Sequence, residues 1–491
     1  MILPLALALL VPLLAGFLLS APWFQASEPA RPSVLLRGCL AVGFALGICS
    51  CTFFLWLVIG GVSRWNFVVT ETLLFVCLTG IVLYARNRRQ RPPYPETCSD
   101  PGVSAFLNRI LLVGLCVTLG TAISRFVFFS LQSPHGDIDA MVLWNLRARF
   151  LYRGDEHWRE SFTALLSHGH SDYPLLVPGA VARLWEYIGY ETTVVPALIA
   201  MIFTFSIIGL ALASLTMLRT RSQGLLAATV LAGTPFLIKH GASQYGDVPL
   251  AYYILATLVL FSLHDTWGKN NAGFLIGAGM MAGLAGWTKN EGLLFLAAVV
   301  LSRLAVVVPL RGWGACRKEL YQFAKGLIPV LALVIFYKTQ ISPGNNYFLP
   351  QGFSTIVDKL TDSTRYVEAG KAFAMRFLRV GHPGIVLLVL YMILLRMKRW
   401  EKSAPDVAVR FSALAIAMTL GGYFLEHIVD PHDVRYVVET TLDRLWIQLW
   451  PSAVFVFFLL VKTPEEAMAP GSLSSGEREQ PLHDAQRGDR Q

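Results

Sequence analysis

Charge is what this sequence has least of. Only 15% of its residues are Asp, Glu, Lys or Arg, where a soluble domain carries about 25%. That deficit excludes a soluble globular enzyme. Strands of alternating hydrophobicity are missing too, which excludes a porin-like barrel. The seven cysteines, Cys39, Cys49, Cys51, Cys77, Cys98, Cys116 and Cys316, are scattered, without metal-ligand spacing or a disulfide framework. No basic run precedes the apolar stretch 2–19, so it reads as a retained helix rather than a signal peptide. The formal charge of +9 does not make a nucleic-acid surface, because the basic residues fall in short clusters between apolar runs.

What is present is apolar. Of the 491 residues, 54% are hydrophobic, and mean hydropathy is +0.53. Repeated apolar runs of about 20 residues predict an all-α integral membrane protein with about 13 transmembrane helices. They fall at 2–19, 34–60, 67–85, 108–132, 194–218, 224–238, 248–264, 272–287, 292–310, 323–341, 383–395, 409–428 and 445–461. Basic clusters after residues 85, 218, 310 and 395 then share one side, which the positive-inside rule makes cytoplasmic. The N-terminus is expected outside. Three helices in 1–106 precede a membrane domain, 107–462, with outer loops at 133–193, 342–382 and 429–444. Residues 463–491 read as a disordered cytoplasmic tail. Within the first loop, 175–188 is too short to span and is expected to lie as a helix on the outer surface.

The polar segment 133–179 organises the rest. It holds Asp137, Asp139, Asp155, Glu156, Glu160 and Asp172 with His135, His157, His168 and His170, between long apolar runs. Acids and imidazoles gathered this way point to a site at a membrane surface. Asp137 and Asp139 would project about 200° apart on a helix, so one of them is expected to face a reacting centre. The plainer reading makes Asp139 the N-cap of the helix that follows. His168, His170 and Asp172 alternate, so an extended segment turns all three to one side. With Asp139 or Glu291 they would suit a divalent metal, zinc through histidine or magnesium or manganese through carboxylates alone. A solvated polar loop is the alternative. Lys289 ends an apolar run, as a site residue or as a snorkelling side chain. Arg435 and Arg444 flank Glu439 and Asp443, as a phosphate fork or as local ion pairs. Trp144, Trp158, Trp185 and Tyr173 suit sugar faces or an interfacial aromatic belt.

The order of these motifs resembles the multi-membrane-spanning GT-C glycosyltransferases that use a polyprenyl-phosphate sugar. Protein O-mannosyltransferases and the aminoarabinose transferases of lipid A are relatives of this kind. Gly136-Asp-Ile-Asp-Ala140, then Trp144 and Ala148, is similar to the acidic motif that opens that family's first large outer loop. Asp172-Tyr-Pro-Leu-Leu-Val-Pro178 looks like its Pro-rich motif before a surface helix. Asp247-Val-Pro249, Trp287-Thr-Lys-Asn-Glu-Gly292 and Arg435-Tyr436 follow in the family's order, and the likeness covers roughly residues 107–460. Two features depart from it. The acidic motif is Asp-x-Asp rather than adjacent Asp-Glu, and three extra helices precede it.

The resemblance implies a transferase at the outer face of a cell inner membrane. It would move a sugar, with inversion, from a polyprenyl-phosphate donor to a hydroxyl on a lipid, glycan or protein. Asp139, or else Asp137, would be the base. Lys289, Arg435 and Arg444 would hold the donor phosphate, and Asp172, Tyr173, Asp247, Glu291 and Trp144 would line the substrate. A transporter or flippase of lipid-linked sugars is the alternative from another class, and a glycan polymerase or ligase is a weaker one. Transporters keep ionisable groups at mid-membrane and repeat their halves. Here the acids gather in outer loops, and no clear repeat is visible.

Overall fold

Inside a bilayer a backbone N–H or C=O finds no water, and a helix satisfies both groups within itself. The protein follows that rule: its described residues contain helices and no strand. The computed structural model describes residues 2–20, 34–61, 63–87, 102–163, 172–267, 272–342, 352–382, 384–394 and 406–468. In chain order the helices are α1 (Ile2–Leu19), α2 (Val34–Val58), α3 (Arg64–Asn87), α4 (Gly102–Gln132), α5 (Asn145–Arg153), α6 (Leu176–Ile188) and α7 (Val194–Leu218). Then come α8 (Arg221–Ala232), α9 (Pro235–Ala242), α10 (Asp247–Trp267), α11 (Ala272–Thr288), α12 (Asn290–Arg311) and α13 (Trp313–Phe336). The last are α14 (Phe353–Thr361), α15 (Ser363–Gly381), α16 (Gly384–Leu394), α17 (Asp406–Val429), α18 (Val434–Leu460) and α19 (Pro464–Met468).

This is an all-α, multi-pass membrane protein. Eight described helices are long and apolar enough to cross a bilayer, or ten with the bent pairs α8–α9 and α15–α16 each counted as one span. The apolar helices α1 and α11 are shorter than that, and α3 is not among the eight. The α8–α9 bend of 60° falls at Pro235, which has no N–H to donate and holds Thr234 in an extended conformation.

Helix α10 is the axis. Its whole span is buried, and α7, α11, α17 and α18 pack around it. An apolar residue on every face fits that central place. Helices α11 and α13 meet backbone to backbone. A Cβ on Gly326 would sit 1.8 Å from the Ile276 carbonyl oxygen, and one on Gly279 would sit 1.9 Å from that of Phe323. Small residues allow helices to approach this closely in a membrane.

Several expectations are corrected. The segment 175–188 is not a surface helix. As α6 it is buried along nearly its whole length between α2, α5 and α7. Its one arginine, Arg183, 1% exposed, is compensated there by Glu71 of α3, which accepts at 2.8 Å through each oxygen, and by the Ala8 carbonyl of α1 at 3.0 Å. The first three helices therefore brace α6. The third outer loop, 429–444, is helical from Val434 onward as the first turns of α18. The second, 342–382, contains α14 and α15, and α15 runs alongside α18. Of the expected tail, Pro464–Met468 is helical, and Glu465 accepts from Thr220 and Ser222 at 3.2 and 2.9 Å. The rest of the tail lies outside the described residues.

Charged groups collect at two ends of the bundle. At one end Arg303 of α12 makes two 2.7 Å bonds to Asp265 of α10, and Glu319 of α13 pairs with both Arg303 and Arg311. The other end holds a cleft.

Candidate functional site

The cleft has a volume of about 560 Å³. The segment between α4 and α5, the turn before α6, the starts of α12 and α18 and the end of α17 line it, over the buried start of α10. Its floor is Asp247, the first residue of α10, with no exposed surface. A carboxylate buried this deeply needs cations and donors on its oxygens. Lys289, between α11 and α12, reaches Oδ1 at 2.8 Å, and the Gln448 amide of α18 donates to the same oxygen at 2.6 Å. Tyr423 of α17 fixes that amide by donating to its oxygen at 2.6 Å. The Arg444 Nε donates to Oδ2 at 3.2 Å. Lys289 also pairs with Glu291 at 2.7 Å. It is therefore not a snorkelling lysine: its ammonium is buried and shared by two carboxylates.

Asp139 enters from the other wall. Gly136 sets up the approach with φ of +79°, and a Cβ there would collide with Ala140 Cβ and the Ser243 carbonyl. The Asp137 N–H then donates to Ser243 at 3.2 Å, docking the acidic motif on the α9–α10 connection. A π-helical turn, Ala140–Trp144, follows. Asp139 makes no capping bond to it, so the N-cap reading does not hold. Its carboxylate instead accepts from Arg444 Nη1 at 2.5 Å. Asp137 is exposed, and its carboxylate accepts from the Ile138 N–H at 2.9 Å. Of the two acids, Asp139 is the one lining the cleft.

Tyr173 closes a third side. Its ring stacks on Trp144 with centroids 5.7 Å apart, and Lys289 Nζ lies 5.3 Å from its centroid. Its carbonyl accepts from Arg147 at 3.0 Å and from Tyr337 at 2.8 Å. Burial, with Glu291 adding to it, pushes the Tyr173 phenol well up, so it stays neutral beside the acids. Asp172 accepts from Asn290 at 2.6 Å, and Lys338 bonds Asn290 at 2.6 Å.

The fold thus brings together seven of the residues singled out from sequence: Asp139, Asp172, Tyr173, Asp247, Lys289, Glu291 and Arg444. Others lie elsewhere. Trp144 has no exposed surface and backs Tyr173. Trp158 and Trp185 are core residues. Arg435 is exposed and pairs with Glu368 of α15 at 3.1 Å, rather than with Glu439 or Asp443 beside it. Asp443 pairs with Arg376 rather than with a neighbour on its own helix. His168 and His170 lie outside the described residues. Among the described residues one His/Asp/Glu group has metal-like spacing, His264, Asp265 and Glu319, at the opposite end. Arg303 and Arg311 already occupy its carboxylates, which disfavours a cation there.

Sequence reasoning missed Glu426, His427, Asp430 and Gln448. The first three line the cleft, and Gln448 bonds its floor. For Glu426 and His427 a polar residue within one turn of the end of an apolar helix was the available signal. No family model, curated protein or solved structure matches this chain.

Proposed function

We propose that the protein is a membrane glycosyltransferase of GT-C type. It transfers a sugar from a polyprenyl-phosphate-linked donor to an acceptor hydroxyl on a lipid, glycan or protein. In this reading thirteen helices or bent helix pairs cross the inner membrane of a cell, and the cleft opens on the extracytoplasmic side. Supporting that side, Arg219 and Arg311 belong to the end opposite the cleft, where Arg219 bonds the Val461 carbonyl at 2.9 Å.

The observation that carries the reading is Asp139, a partly exposed carboxylate at the mouth of a cleft floored by fixed cations. Asp139 takes the proton of the acceptor hydroxyl. The acceptor oxygen bonds the sugar's first carbon as the bond from that carbon to the phosphate oxygen breaks. The phosphate leaves with the electron pair, and Arg444 and Lys289 stabilise it. A general base of this kind contributes about 10²–10⁴-fold.

The enzyme reading is favoured over a transporter by α10. Between Asp247 and His264 it carries no charged residue, so α10 itself offers no ionisable step between the two charged ends.

The test reconstitutes the full chain in proteoliposomes with labelled polyprenyl-phosphate sugars. The expected result is release of polyprenyl phosphate with sugar on an acceptor, lost in Asp139→Asn and kept in Asp137→Asn. Movement of intact donor between leaflets without consumption overturns the proposal.

A further inference from the structure

Helix α13 and the π-helical turn after it make one continuous span, Trp313–Ile341, of 29 residues. At 1.5 Å per residue that is about 43 Å, where a hydrocarbon core is about 30 Å thick. From Gly326 to Tyr337 the span carries no charge, and Arg317, Lys318, Glu319 and Lys325 all precede that stretch. The excess length therefore lies at the end opposite the cleft, in a headgroup layer. At 3.6 residues per turn, Trp313, Arg317, Lys318, Tyr321 and Lys325 fall within about 140° of the helix surface. All five are exposed, Trp313 by 60% and Tyr321 by 63%. Glu319, the only acid of the span, points the opposite way, to Arg303 at 2.8 Å and Arg311 at 3.1 Å. None of the three cations on the exposed arc pairs with a carboxylate among the described residues. Lys325 Nζ lies instead 4.5 Å from the Tyr321 ring centroid. Toward the middle of the span the same face continues as Ile328, Ala332 and Ile335, also exposed.

We propose that this face of α13 binds an anionic phospholipid of the surrounding bilayer. Arg317, Lys318 and Lys325 meet the headgroup phosphate, and a basic cluster at the end of a spanning helix attracts anionic lipid in this way. Trp313 and Tyr321 sit at headgroup level, where amphipathic rings settle. The acyl chains run along Ile328, Ala332 and Ile335. Two other occupants fit less well. A second copy docked isologously through this face would set the same three cations against themselves. A soluble acidic partner could reach the charges but not the apolar residues further down the span. The site lies away from the cleft and stands whether or not the cleft transfers sugar.

The experiment is native mass spectrometry of the delipidated full chain, titrated with phosphatidylglycerol or with phosphatidylcholine. The expected result is a saturable phosphatidylglycerol site that is about tenfold or more tighter than any for phosphatidylcholine. At about fivefold for each basic residue near a charged bilayer surface, the combined Arg317→Gln, Lys318→Gln and Lys325→Gln variant weakens that site about a hundredfold. Arg317→Lys, which keeps the charge, retains it. Lys371→Gln with Arg379→Gln, two exposed cations of α15, leaves it unchanged. Every substituted side chain is exposed, and thermal unfolding confirms that each variant is folded. Equal affinity for the two lipids, or a triple variant that binds phosphatidylglycerol as the wild type does, overturns the site. Displacement of the lipid by inorganic phosphate would show a site for a free anion and overturn it too. So would dimers that the triple variant loses and phosphatidylglycerol does not disperse, which would assign the face to a second copy.

Discussion

Lys289 and Asp247 form an ion pair at 2.8 Å with 2% and 0% of their side chains exposed. Forty-two residues separate them in the chain, and the pair joins the end of α11 to the start of α10. Around it the protein has assembled one of the polar clusters of its bundle.

Removing one partner is expected to destabilise the fold. Lys289→Met leaves a buried carboxylate with Arg444 and Gln448 alone, at a cost of about 3 kcal/mol, the low end for a broken buried pair. Adding Asp247→Asn recovers part of that loss. Thermal unfolding of the single and double variants measures both, and a double variant no more stable than Lys289→Met contradicts the account.

Arg444 serves two carboxylates with different nitrogens, one from Nη1 and one from Nε. A lysine keeps the charge but not the fork. In the proposed transferase, Arg444→Lys is expected to lower sugar transfer by about 10²-fold, comparable to losing one preorganised donor, while folding persists. Steady-state rates with saturating donor report the loss, and wild-type turnover in this variant removes Arg444 from the mechanism.

Glu71→Gln is expected to loosen α6 without touching the cleft. It leaves Arg183 buried without a counter-charge, at a cost of about 3–5 kcal/mol. Hydrogen exchange should rise along α6 before it rises along α10. Uniform protection across both helices would show that α1 and α3 do not brace α6.

Glu186, on α6 and outside the candidate spans, carries a carboxyl that burial pushes up to about 7 from 4.5, with Arg64 opposing. Between those values the folded protein keeps a proton that the unfolded chain has released. Its contribution therefore lowers stability as pH rises from about 4.5 to about 7. Glu186→Gln removes that slope. Melting temperatures taken across the window decide it, and parallel curves for the two proteins would exclude Glu186 as the source.

Residues standing at the ends of apolar runs were legible from sequence. Asp247, Lys289 and Asp139 each interrupt or border such a run, and an ionisable group there is conspicuous. Glu426 and Gln448 were not, because each lies just inside an apolar segment and reads as a blemish in it. The outer loop expected at 429–444 was misread for a different reason. Arg435, Glu439, Asp443 and Arg444 look like loop charges locally. Glu368 and Arg376 of α15, each 67 residues away, pair with Arg435 and Asp443 and let that stretch be helix. The burial of α6 was hidden likewise, since Arg183 meets Glu71 112 residues away.

Helix α10 separates its two polar ends by about 25 Å at 1.5 Å per residue. Every hydroxyl on it from Tyr252 to Ser262 already donates to a carbonyl: Tyr252 to Cys39, Tyr253 to Gly43, Thr257 to Tyr253 and Ser262 to Leu258. No chain of free donors is left along that helix for a proton to hop through. A helix sealed this way holds its two charged ends apart, and anything passing between them would have to run along other elements.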